Sequence, residues 1–463
     1  MKILLLMDNR GDSNWGSQAT TTKLVHALKE QFPGAEIQGV RRKAAGIRGI
    51  SRKLAEAILP WSLRLGSWND PITCLALRLC TKGWQHLIDW PDLIVMNGEG
   101  TLHSQGQVKR WLPLAAWLKQ RRGCPLWVVN TSIELEDRSY TRLFRVALSY
   151  ADRVVVREPF SAEVARDLGV EAEVSADCAF LATPDEDFDV DAFLERIGVK
   201  KPFAIVTGSA VGKYWQPSDA RSVLDSARKR GLDLLFAAST GDDRDLYTRL
   251  ALQLPLVGER DLTPYQYMSL IREAEVMIGG RFHPSIFAAK VGTPFVASES
   301  NTHKMPGTMQ LLGTPELLVP ISDPARQAAM LDHILANRAD YSEKLRRRAA
   351  ELACVAKRNA EGPLVSKPVP ERTSSLLWPS VATAGGVAAF FLFPNSWVVF
   401  GLVGLTSLLL ANRVPSRTPS RLSPAVGLVL LLAAASLGGD LYDGGLIDHD
   451  GSPKHERVWY LGL

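Results

Sequence analysis

Short apolar runs alternate with longer amphipathic stretches through the first three-quarters of the chain, and their spacing predicts a parallel α/β architecture. KILLLM at the N-terminus reads as a buried strand, followed by a glycine-rich turn and a helix from about Gln18 to Phe32. DLIVMNG, PLWVVNTS and DRVVVRE follow as valine- and isoleucine-rich strands separated by helical stretches, and AEVSADCAFL closes this half. The acidic, proline-containing TPDEDFDVD, Thr183 to Asp191, interrupts the pattern as a linker. A second series begins at FAIVTGS and continues through DLLFAAS, LPLVGE, VMIGGRFH, PFVASE and ELLVPIS into a long charged helix from about Pro324. The expected division is an N-terminal domain over 1–182, a linker over 183–200, a C-terminal domain over 201–362 and a joint over 363–375. Two doubly wound, Rossmann-like domains facing a cleft follow from it, with ligands bound beyond the carboxyl ends of the strands.

The last hundred residues differ in kind. Leu376 to Ala411 carries no charged residue and is interrupted by Pro394-Asn395-Ser396; Ser423 to Gly439 is a second uncharged block. A bilayer core takes about 20 apolar residues per helix, so residues 376–439 are expected to anchor the chain in a membrane and 440–463 to be a polar tail. The long block fits a hairpin of two short spans or one tilted helix, and the second block a further crossing. Basic residues precede the first block (Arg346, Arg347, Arg348, Lys357, Arg358, Lys367, Arg372) and follow it (Arg413, Arg417, Arg421). The positive-inside tendency therefore predicts the cytoplasmic face of the inner membrane.

Composition narrows the class. A net charge of +5, from 54 basic and 49 acidic residues, gives no reason to expect a nucleic-acid partner. Cys74, Cys80, Cys124, Cys178 and Cys354 are scattered without CxxC or Cys/His spacing, so neither a disulfide framework nor a metal site is expected. Five apolar residues between Lys2 and Asp8 are too few for a signal peptide. Trp61, Trp68, Trp84, Trp90, Trp111, Trp117 and Trp127 crowd the first half and read as core or interfacial packing.

Candidate chemistry concentrates where the strand Val276–Ile278 ends. Arg281 and His283 stand at its carboxyl rim, and Pro284 suits the first position of the following helix. The N–H groups of Ser285, Ile286 and Phe287 would then point to the same rim, so a helix N-terminus and a guanidinium together make an anion site. Gly279 and Gly280 permit close backbone approach. In the first half, Asp12 and Asn14 lie in the strand-to-helix turn, facing the cleft or serving turn chemistry.

IGGRFHPSIFAAKVGTPFVA with HKMPGTMQLLG resembles the C-terminal signature of the polysaccharide pyruvyl transferase family. NWGSQATTTKLVHAL, DLIVMNGEGTLH, VVVREPFSAEVARDLGV and SADCAFL agree in order and spacing, and the resemblance extends over about Met1 to Leu335. It implies a GT-B-like pair of domains that moves a pyruvyl group from phosphoenolpyruvate to sugar hydroxyls of a polysaccharide or lipid-linked glycan, with no cofactor. The donor site would hold Arg281, His283, Ser285, Lys304 and Arg157, and the acceptor side Asp12, Asn14, Gly98 and His103. His283 is the expected acid and Glu99 the expected base, with His103 the alternative, since imidazole and a buried carboxyl both tune toward neutrality. Arg157 reaches the donor or pairs with Asp177 to lock the domain end. Asn14-Trp15-Gly16-Ser17, Glu99 and the Arg157-Glu158 pair depart from the family pattern, which bears on the acceptor. Two rivals remain: a GT-B glycosyltransferase using a sugar nucleotide, with Glu299 on the ribose, or an inactive membrane-anchored scaffold of a polysaccharide assembly complex.

Overall fold

A computed structural model describes residues 1–41, 71–102, 105–135 and 140–368, with a few positions between 56 and 68. The anchor expected at 376–439, the tail at 440–463 and His103 lie outside the described residues. Among the described residues no helix is long and apolar enough to cross a membrane. Residues 1–64 and 76–371 form one compact unit; the second unit, 65–75 and 372–463, is described only at Trp68 and 71–75, where helix α2 begins.

The compact unit holds two parallel sheets. The first has six strands in the order β2-β1-β3-β4-β5-β6: β1 Lys2–Asp8, β2 Glu36–Arg41, β3 Leu93–Leu102, β4 Leu126–Ile133, β5 Arg153–Val156 and β6 Glu173–Val174. The second has five, in the order β11-β10-β7-β8-β9: β7 Phe203–Ser209, β8 Asp233–Ala238, β9 Leu256–Gly258, β10 Val276–Gly280 and β11 Phe295–Ala297. Central strands are buried on both faces, β4 and β7 along their whole length, as crossover helices on both sides require. The helices are α1 Trp15–Gln31, α2 Pro71–Thr81, α3 Gln105–Arg122, α4 Thr141–Leu148, α5 Pro159–Asp167, α6 Val190–Ile197, α7 Pro217–Lys229, α8 Gly241–Arg249, α9 Pro264–Glu273, α10 Phe282–Val291, α11 Lys304–Leu312, α12 Pro324–Ala336 and α13 Arg338–Ala356. Both doubly wound folds match expectation.

Four local expectations change. The edge strand β2 carries one buried residue in six, so it offers no apolar run to read. ELLVPIS forms no strand, only a 3₁₀ turn at Pro315–Leu317 and a single bridge from Leu318 to Ala297. The segment expected as linker contains α6, whose Phe193 and Leu194 pack into the second core. The long charged helix breaks at Asn337 into α12 and α13.

The two halves are also tied together. Trp15 from α1 belongs to the second core, where it stacks on Tyr267 at 4.3 Å and donates to the Leu262 carbonyl at 2.8 Å. After α13 the chain returns to the first half. There buried Asn359 accepts from Asn130 N–H at 2.7 Å and donates to the Ala176 carbonyl at 2.9 Å. Ser366 and Lys367 continue along that half, meeting Lys119 and Asp152.

Candidate active site

Strand β10 delivers its residues between two close neighbours. Gly279 has φ +147°, and a Cβ there would lie 2.1 Å from Thr207 Oγ1; one on Gly280 would lie 2.4 Å from both Ser209 and Ser298 hydroxyls. The glycine pair therefore lets β10 wedge between β7 and β11. The close approach is to neighbouring strands rather than to an open rim.

Arg281 is the N-cap of α10, so the helix starts at Phe282 and Pro284 occupies its third position rather than its first. Ser285 N–H bonds to the Arg281 carbonyl at 3.3 Å. The first free amides of the helix are accordingly those of Phe282 and His283, not the three expected from Ser285 onward. The Arg281 guanidinium donates through Nε to Asp243 Oδ1 at 2.7 Å and through NH2 to Thr240 Oγ1 at 2.7 Å. Asp243 is fully buried, and its other oxygen accepts Ser239 N–H at 2.9 Å. This carboxylate fixes Arg281 in a single pose, and no short-range sequence feature marked it.

His283 packs closely against α1, the first helix of the other half. A Cβ on Gly16 would lie 2.0 Å from His283 Nδ1, so only glycine fits there. Nε2 is buried without a hydrogen-bond partner and lies 3.7 Å from Asp177 Oδ2. Asp177, 1% exposed, accepts from Arg157 at 2.5 Å, Thr20 at 2.7 Å and Ala179 N–H at 2.8 Å. Burial pushes its carboxyl up, but Arg157, His283 and that amide outweigh burial and hold it well below the ordinary range. Arg157 is therefore the partner of Asp177, and the same guanidinium lies over the Phe282 ring at 4.5 Å. The two alternatives left open by the sequence are compatible.

Lys304 begins α11, reaches Asn301 Oδ1 at 3.0 Å and stands 5.8 Å from the Phe282 ring centroid. The residue is partly exposed, yet burial of the ammonium and then the charges of Arg157 and Arg281 pull its pKa down to about 7. Gly100 faces this pair: a Cβ there would sit 2.8 Å from Arg157 NH2 and 3.5 Å from Lys304 Nζ. Arg157, Arg281, His283 and Lys304 thus converge from both halves around Phe282 and Gly100, which sequence reasoning did not single out as site residues.

The acceptor-side expectations fare differently. Glu99, 3% exposed and at φ +42°, accepts from Asn9 Nδ2 at 2.7 Å, Ser17 Oγ at 3.0 Å and Thr21 Oγ1 at 3.1 Å. From Thr21 the contacts run through Asn97, Asn130 and Thr20 to Asp177, each between 2.7 and 3.0 Å. Glu99 is the anchored end of a buried polar network; a carboxylate with both oxygens so occupied is poorly placed to take a proton from a sugar hydroxyl. Asn14 caps α1, accepting Gly16 and Ser17 amides at 2.9 and 3.1 Å. Asp12 accepts Ser13 N–H at 2.8 Å within the same turn. Gly98 packs against Thr131, whose Oγ1 would be 2.2 Å from an added Cβ. Ser285 turns its hydroxyl back to the Arg281 carbonyl at 3.1 Å. Glu299 accepts Ile321 N–H at 2.9 Å, so the carboxylate considered for a ribose instead holds the chain after α11.

Comparison with known proteins agrees with this architecture. A UDP-GlcNAc 2-epimerase from Methanocaldococcus jannaschii matches with TM-score 0.50 at 12% identity, covering 76% of this chain and 100% of its own. A sucrose-phosphate synthase from Thermosynechococcus elongatus matches with TM-score 0.49 at 17% identity, covering 78% and 96%. At such identity the first likeness shows a GT-B-like fold and nothing finer. No curated protein matches significantly in sequence. The family model described as polysaccharide pyruvyl transferase matches residues 14–301, which takes in Gly16, Gly100, Arg157, Asp177, Arg281 and His283 and ends just short of Lys304. By that match, the chain belongs to the polysaccharide pyruvyl transferase family.

Proposed function

We propose that the chain transfers a pyruvyl group from phosphoenolpyruvate to a pair of hydroxyls on a polysaccharide or lipid-linked glycan, leaving a pyruvate ketal and inorganic phosphate. The observation that carries this reading is the balance of charge around Phe282. Arg157 and Arg281 each rest on a buried carboxylate, whereas Lys304 hydrogen-bonds a neutral side chain and has its pKa drawn down to about 7. A crowded cation beside two fixed guanidinium groups suits a small ligand with more than one negative charge. Phosphoenolpyruvate has a phosphate and a carboxylate to meet them, and Phe282 supplies an apolar face for its methylene.

In this reading Arg281 and Lys304 hold the phosphate and Arg157 orients the carboxylate. His283 gives a proton to the methylene carbon, which becomes the methyl group, while positive charge develops at the adjacent carbon. One sugar hydroxyl adds to that carbon, the carbon–oxygen bond to phosphate breaks, and the second hydroxyl closes the ketal. Of the two hydroxyl protons, one restores His283 and the other leaves on the phosphate, so no protein carboxylate is needed as a base. Asp177 Oδ2 lies 3.7 Å from Nε2 and holds the ring in place. The proposal extends to a C-terminal anchor at the cytoplasmic face of a membrane, motivated by the uncharged blocks after Leu376.

Thermal shift against phosphoenolpyruvate and a panel of nucleotide sugars tests the donor. Stabilisation by phosphoenolpyruvate alone is expected. Stabilisation by a nucleotide sugar without phosphoenolpyruvate overturns the reading.

A further inference from the structure

Beside the donor cluster lies a second set of titratable groups that the reaction above does not use. His303 is the N-cap of α11, immediately before Lys304. Its Nε2 is 3.3 Å from Glu158 Oε1 and 3.1 Å from Ser161 Oγ, both at the start of α5 in the other half. Its Nδ1 is 3.9 Å from Glu134 Oε2, at the end of β4, and its backbone N–H donates to the same oxygen at 3.2 Å. The Phe160 ring flanks the imidazole at 5.9 Å. Glu158 is fully buried, accepts Ser161 N–H at 3.0 Å, and leaves no room for a side chain on Gly307 of α11, where a Cβ would lie 2.8 Å away.

Two helix N-termini from opposite halves are therefore joined through one imidazole set between two carboxylates. We propose that His303 is a positioning residue: as an imidazolium bridging Glu158 and Glu134, it docks α11 on the first half and holds Lys304 in the donor site. This rests on the donor reading only in naming what Lys304 serves. The surroundings agree with a charged ring. Burial lowers the pKa of His303, but Glu158 and Glu134 outweigh burial and the opposing Arg157, and hold it above the ordinary histidine value. Burial raises Glu158, yet His303 and Ser161 bring it below the usual carboxylate range. Lys304 follows as the C-terminal neighbour of this fixed residue, which accounts for its ammonium being held near Arg157 and Arg281.

The readout is the titration of Lys304 itself, which needs no donor. Labelling by acetic anhydride across pH 6 to 11, followed by peptide mass spectrometry, gives its midpoint in wild type, His303→Gln and Glu158→Gln, with thermal unfolding as a check on folding. A wild-type midpoint near 7 is expected. Both variants should move it upward by a pH unit or more, equivalent to at least a tenfold change in its proton affinity, as α11 loosens. His303→Lys, which keeps a cation between the carboxylates, should restore the low midpoint in part. A midpoint unchanged in either folded variant, or an ordinary midpoint in wild type, overturns the proposal. If the midpoints move as expected but phosphoenolpyruvate fails to raise the wild-type midpoint, the donor reading falls and the positioning role stands.

Discussion

With Lys304 on the donor's phosphate, as proposed, donor binding is a proton-linked event whose direction follows from the lysine's environment. With its pKa near 7 in the empty site, the ammonium is half deprotonated at neutral pH and about one part in a hundred protonated at pH 9. A bound phosphate restores the charge, so binding must take up a proton that the free site has lost. The cost steepens above pH 7 toward about 1.4 kcal/mol, a tenfold fall in affinity, per pH unit. The ligand adds little of its own, because a phosphate ester with second pKa near 6 is largely dianionic throughout this range. Isothermal calorimetry from pH 7 to 9, in two buffers of different ionisation enthalpy, should show a dissociation constant rising about fiftyfold and proton uptake approaching one per donor. Lys304→Arg stays charged and should bind with little pH dependence over the same range. A flat profile in wild type, or the same slope in Lys304→Arg, refutes the assignment. The linkage has a counterpart without ligand: the unfolded chain keeps this proton up to the ordinary lysine range while the folded chain sheds it near 7, so the contribution of Lys304 to folding stability rises with pH between those values.

His283→Asn should keep donor affinity within a few-fold while turnover falls about 10²–10⁴-fold, since an amide cannot relay a proton; calorimetry and initial rates separate the two effects. Arg281→Ala leaves Asp243 buried and unpaired, so a loss of about 3–5 kcal/mol in denaturant unfolding is expected, and adding Asp243→Asn should recover stability but not donor binding. Glu99→Gln should lower stability through its hydrogen-bond network yet leave turnover within about tenfold; a loss beyond a hundredfold at unchanged stability would reinstate Glu99 as the base. Truncation after Glu371 should give a folded, donor-binding protein that modifies a membrane-embedded acceptor poorly, whereas truncation at Pro363 also removes the Ser366 and Lys367 contacts to Lys119 and Asp152 and should be less stable.

How far the sequence could be read depended on the range of the interactions. The strand carrying Val276–Ile278, the glycine pair and the Arg-x-His placement were legible because each is set by residues within one turn of the next. What the sequence hid was long-range. Arg281 meets Asp243, 38 positions earlier, and His303 meets Glu158, 145 positions earlier, and no local periodicity announces either contact. Glu99 reads as a reactive carboxyl because its burial is foreseeable, whereas its donors Asn9, Ser17, Thr21 and Asn97 are not. The helix start moved from Pro284 to Phe282 because Arg281, rather than His283, adopts the extended cap conformation. Glycine misled in the opposite sense: Gly98, Gly279 and Gly280 admit strand neighbours, while Gly16 and Gly100, not singled out, leave the space that His283, Arg157 and Lys304 occupy.

The central claim is tested most directly by running the reaction with phosphoenolpyruvate, a panel of sugar nucleotides and a glycan acceptor in D₂O and examining the products. Protonation of the methylene by an exchanged His283 should yield one inorganic phosphate per ketal and a methyl group carrying one solvent deuteron, visible by mass spectrometry and proton NMR. Release of a nucleoside diphosphate from a sugar nucleotide under the same conditions, with no deuterated methyl group from phosphoenolpyruvate, would contradict it.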